Sequence, residues 1–165
     1  MWLQDFSTWL AATPASLFIQ ATDAIIPAVQ TIHILCIAVV ISAVLLVHLH
    51  TLGIAMRSQS GAALAKRFFP WLWWALALLL LSGTILIIAE PDRSLSNWVF
   101  QLKMLLVIAA VVLTFLFQQP LRKDPDYWQK SAARRTNAGA IAIVSLCVWV
   151  GIVFAGRWIA YAIAY

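Results

Sequence analysis

His33, Lys103 and Arg157 are the residues of this chain best placed to do chemistry, because each is an ionisable side chain inside a long apolar run. Charge is costly in hydrocarbon, so such groups mark binding sites or ion and proton pathways unless they reach water or partners. Counted from the nearer ends of their runs at about 1.5 Å per residue, His33 and Lys103 lie about 9 to 12 Å deep and Arg157 about 5 Å. Gln30 is one turn from His33 on the same helical face, and Glu90 closes the second run slightly nearer the surface. If these five heads turn inward they form an electropositive cup with a single carboxylate. A haem propionate, a quinol oxygen, a carboxylate substrate or a lipid phosphate would complete it. The alternative is an internal hydrogen-bond network that ties helices together.

A second chemistry is copper binding, with His33 joined by the sulfur of Met104 or Cys36, a soft set suited to Cu(I). His48 and His50 are two residues apart and point about 200° apart on a helix, so they cannot share one metal while the helix stays regular. His33 and His48 are separated by about 22 Å along the axis, as in helices that serve one haem on each side of a membrane. The other runs contain no histidine. A haem at His33 or His48 would therefore need Met104 as a weak axial ligand, or His33 from a second copy of the chain. Otherwise His48 and His50 are solvated at a helix end. Cys36 and Cys147 read as small buried hydrophobes, with a thiol pair or soft-metal site as the alternative.

The elements that must position these groups are four apolar runs, residues 25–51, 68–89, 97–117 and 138–160, each about the length that spans a hydrocarbon core. The 165 residues are 64% hydrophobic and 10% charged, too little polar surface for a soluble globule. Backbone groups in lipid must be paired internally, and runs of this length do so as helices rather than barrel strands. The expectation is an all-α fold: one integral membrane four-helix bundle filling residues 1–165.

The net charge of +5 does not indicate nucleic acid, because the basic residues gather between runs. Arg57, Lys66 and Arg67 follow the first run, and Arg122, Lys123, Lys130, Arg134 and Arg135 follow the third. By the positive-inside rule this end is cytoplasmic and both termini face outward, the topology of a multi-pass protein of the inner membrane. The stretch 121–136 would attract anionic headgroups or dock a cytoplasmic partner.

Residues 1–22 suggest an interfacial amphipathic helix, with Trp2, Phe6, Trp9 and Leu10 at helical spacing and Pro14 dividing it from a second short helix. That segment would be a surface anchor or a lid over an outward pocket. The N-terminus lacks the basic region of a secretory signal, so no cleavage is expected. Asp23 is the expected N-cap of the first span, with Pro27 in its first turns. Phe68, Trp71, Trp73 and Trp74 make an aromatic belt. Gly151, Ala155, Gly156 and Ala160 form a small-residue stripe that suits close packing within the bundle or, turned outward, a homodimer.

No zinc spacing, phosphate loop or Ser/His/Asp set is present, and the spans hold no interior carboxylate for a proton relay. An enzyme acting alone is not expected. The run Pro27-x-x-Gln30-Thr31-x-His33, with Leu52-Gly53 and Asn97-x-x-Phe100-x-Leu102-Lys103, resembles an uncharacterised family of small bacterial four-span membrane proteins. That family in turn resembles copper-resistance D and cytochrome b561-type bundles, which bind copper or haem b in four-helix cores. The resemblance implies a small membrane subunit that anchors or completes a redox assembly. His33 and Lys103 are its candidate functional positions, haem, quinone or copper its candidate ligands, and lipids or a larger membrane complex its partners.

Overall fold

The computed structural model describes residues 2–159, 161 and 162. It is all-helical: α1 (Trp2–Ala11), α2 (Pro14–Ala21), α3 (Ile25–Thr51), α4 (Gly61–Ala89), α5 (Pro91–Leu95), α6 (Trp98–Lys123) and α7 (Ala132–Trp158), with a 3₁₀ turn at Tyr127–Gln129. Helices α3, α4, α6 and α7 are each long and apolar enough to cross a membrane. The chain is a multi-pass membrane protein.

All four helices match the apolar runs, but three extend past them. α4 begins seven residues before the expected start, because Ser60 caps it by accepting the Ala63 N–H (3.2 Å). α7 begins at Ala132 with Ser131 as N-cap, its hydroxyl accepting from Arg134 N. α6 continues to Lys123 with Pro120 inside it. Lys66, Arg67, Arg122, Lys123, Arg134 and Arg135 therefore sit on helical turns rather than in loops. The expected cap at Asp23 is not formed. α3 is entered through Ala24 in helical conformation, with no side-chain cap.

Gly53 ends α3 by taking φ +69°, a left-handed conformation that L side chains rarely adopt. Gly53 N–H bonds the His50 carbonyl and Ile54 N–H bonds the Leu49 carbonyl, the paired closure that satisfies the last carbonyls of a helix. Between α6 and α7, Lys130 pairs with Asp124. The hydrogen bond from Lys130 holds the Asp124 carboxyl below its ordinary value, helped by the Asp126 N–H.

α3 and α4 pack as one antiparallel pair and α6 and α7 as another; α3 joins the pairs through α7, while α4 and α6 scarcely touch. Val40, Leu72, Ala110 and Ala142 are fully enclosed at the centre. Ile34, Leu80, Leu105 and Phe154 point outward and are exposed, the reverse of a soluble protein and the arrangement a lipid solvent requires. The small-residue stripe of α7 turns inward. A Cβ on Gly151 would lie 3.5 Å from Leu106 and one on Gly156 would lie 3.7 Å from Lys103 Nζ, both on α6. The stripe thus brings α7 close to α6 of the same chain; Ala160 lies outside the described residues.

The N-terminal segment folds as two short helices, with Pro14 opening the second and Thr13 capping it. Its polar side faces the protein. Ser7 is buried and donates to Asp92, Ser16 donates to the Ile88 carbonyl (2.7 Å), and Gln20 donates to the Ala89 carbonyl (2.9 Å). Trp2, Trp9, Leu17 and Phe18 face away from the bundle.

Asn97 fixes the start of α6. It is buried, accepts the Val99 N–H (2.9 Å), and donates to the Ile159 and Ala162 carbonyls at 3.3 and 3.2 Å. Asn97→Ala removes a cap and leaves those carbonyls unpaired, so it should cost about 1–3 kcal/mol. Unfolding in mixed micelles with an anionic detergent as denaturant would measure this. An unchanged midpoint would mean that water serves the same groups.

Candidate functional site

His33 leans from α3 onto α4, where Ser82 and Gly83 receive it. Its Nδ1 lies 2.8 Å from Ser82 Oγ, and a Cβ on Gly83 would approach the ring Cε1 to 3.5 Å. The Ser82 hydroxyl proton is directed at the Leu78 carbonyl one turn back (2.7 Å). With that proton committed, Ser82 Oγ can only accept from the imidazole. This arrangement favours a neutral ring with its proton on Nδ1 and a lone pair on Nε2. A histidine that binds a metal through one ring nitrogen commonly has the other held by a hydrogen bond.

Lys103 approaches the same level from α6. Its ammonium packs at Gly156 of α7, where a Cβ would stand 3.7 Å from Nζ. Among the described residues Lys103 makes neither a hydrogen bond nor an ion pair. His33, turned to α4, and Lys103, turned to α7, thus lie at a similar depth in the half of the bundle that carries the termini.

The other expected members of the cup are not brought to this pair. Arg157 follows Gly156 on α7, and one residue further round a helix is a turn of about 100°, which carries the side chain out of the α6 contact. It is exposed, donates to the Tyr161 hydroxyl (2.9 Å) and lies over that ring. Glu90 caps the end of α4 and takes Arg93 at 2.8 Å. Gln30 is exposed. Ser82 is the member that reading the sequence missed; its signal was the adjacent Ser82-Gly83 at the depth of His33.

The donor set limits the groups that fit. A haem at His33 lacks a second axial ligand among the described residues, because His48 and His50 are at the opposite end and Met104 is 37% exposed on another face of α6. For copper, Cys36 is buried one turn from His33, and Met104 does not join them. No cluster of three His, Cys, Asp or Glu side chains occurs among the described residues. A small head group bearing both hydroxyl and carbonyl oxygens uses the acceptor and the donor together.

At the basic end His48 is buried rather than solvated. Its Nε2 meets Ser145 Oγ at 3.0 Å, and its ring stands edge-on to Phe117 with centroids 5.2 Å apart. Among the described residues its Nδ1 has no partner, nor has the buried Trp149 Nε1. His50 donates its Nδ1 proton to the Met56 carbonyl (3.1 Å) and stays at the helix end as expected.

No curated protein and no solved structure matches the chain, so the likeness to copper-resistance D and cytochrome b561-type bundles receives no support from them. One family model does match, over residues 9–162, nearly the whole chain and all four long helices. The chain belongs to that family, the family of unknown function DUF6644.

Proposed function

We propose that this chain is a small subunit of the cytoplasmic membrane that binds a quinone head group between His33 and Lys103 and so anchors or completes a redox assembly. The reading rests on one observation: His33 Nδ1 lies 2.8 Å from a Ser82 hydroxyl that also reaches the Leu78 carbonyl, which favours Nε2 as an acceptor, with Lys103 at a similar depth and without a hydrogen bond or ion pair among the described residues. Nε2 would accept from a quinol hydroxyl, and the Lys103 ammonium would donate to an oxygen that gains negative charge. A quinone supplies two-electron chemistry when bound; this chain's residues orient the head group and hold a proton at Nε2. The concentration of arginine and lysine at the far end favours that end as cytoplasmic, with the His33 level near the outer leaflet. α1 and α2 then lie at the outer interface, their exposed rings among headgroups.

The test is gentle extraction of the full chain into native-membrane nanodiscs, followed by solvent extraction for quinone, an absorption spectrum and metal analysis. About one quinone per chain, lost in His33→Ala while the helical content is kept, is the expected result. A haem Soret band or stoichiometric copper that disappears with His33→Ala would replace quinone as the ligand. No bound group, with His33→Ala only less stable, would leave a structural bundle.

A further inference from the structure

The seam where α4 and α6 scarcely touch opens, at the basic end, into a groove of about 490 Å³. Its walls are apolar and small: Ala62, Ala65 and Phe69 from α4 face Leu121 and Pro125. Two cations, Lys66 and Arg122, stand on either side, one from each helix. Both are exposed, and neither forms an ion pair among the described residues. The volume falls within the range of about 300–1,000 Å³ common for ligand sites.

We infer that this groove is a binding site for one anionic phospholipid, with the phosphate between Lys66 and Arg122 and an acyl chain along the small-residue walls. Charge complementarity commits the site to an anion. The same end of the chain also carries Arg57, Arg67, Lys123, Arg134 and Arg135 outside the groove lining, whereas its acidic residues are Asp124, already paired with Lys130, and Asp126. Depth commits the anion to a lipid. Trp71 and Trp74 are exposed on α4 within a turn or so of Phe69 and Pro70, and exposed tryptophans seat at the headgroup boundary. Pro70 also lines the groove and has no N–H, so the Lys66 carbonyl lacks its helical donor and is left as an acceptor for a headgroup hydroxyl. The opening lies in the gap between α4 and α6, where a diacyl lipid can enter sideways and a soluble anion has no apolar path to fill.

The full chain would be placed in nanodiscs of mixed phosphatidylglycerol and phosphatidylcholine, and lipid retention followed by native mass spectrometry. Wild type should hold one phosphatidylglycerol under activation that strips phosphatidylcholine. Lys66→Gln with Arg122→Gln should weaken that retention about thirtyfold, the effect of two basic contacts with an anionic headgroup. The charge-matched pair Arg57→Gln with Lys123→Gln should change it less than about threefold. Circular dichroism of each variant should match wild type, since all four side chains are exposed. Equal losses in the two double variants, or equal retention of phosphatidylcholine, would overturn the site. Displacement by glycerol phosphate in neutral detergent would assign it to a free phosphate and overturn the lipid.

Discussion

Lys103→Met should unfold at a higher denaturant concentration than wild type and should retain no quinone. The two effects share one cause. Lys103 brings an ammonium into the bundle without a carboxylate or carbonyl partner among the described residues, and a lysine in a membrane helix costs up to about 3 kcal/mol. Methionine keeps the length and apolar stem that pack against Gly156 and removes the charge. A gain of about 1–3 kcal/mol is expected, reduced toward the lower figure if the head reaches water. If the proposed site is real, the same change removes its only cationic donor, and binding should fall by a factor of about 10 to 100. Stability gained as binding is lost marks a residue kept for function. A Lys103→Met variant that is less stable would show the lysine to be tied into the scaffold, and one that keeps its quinone would remove Lys103 from the site.

The membrane helices are legible because twenty apolar residues in a row have few other uses in a chain this short. Their ends are less so. Lys66, Arg67, Arg134 and Arg135 read as loop charges, yet serine caps at Ser60 and Ser131 start the helices earlier and carry those charges out toward water. Depth along a helix is readable at 1.5 Å per residue, and it puts His33 and Lys103 at similar levels of their helices. Azimuth is not readable from one run that is apolar all round, which is why Arg157 was expected inward and is found turned to Tyr161. His48 failed for a different reason. Its partner Ser145 is on the last helix, a pairing set by how α3 meets α7 and invisible in either segment alone.

That pairing yields the second large effect, at the end away from the proposed ligand. Ser145→Ala should cost about 2–3 kcal/mol, because it leaves both nitrogens of the buried His48 ring unpaired, Nδ1 having no partner already. His48→Leu should be close to neutral: the leucine fills a similar volume against Phe117, and the Ser145 hydroxyl can turn to a carbonyl of its own helix. The double variant should then lie within about 1 kcal/mol of wild type, since removing both polar partners removes the unpaired group as well. The predicted coupling between the two sites is about 2 kcal/mol, far above the few tenths expected of independent positions. Additive losses in the cycle would mean that the bond is not formed in the membrane. Quinone retention and metal content should be unchanged in all three variants, because His33 and Ser82 are untouched. A loss of bound metal in His48→Leu would instead make this histidine a ligand, and the orphaned Nδ1 its coordinating atom.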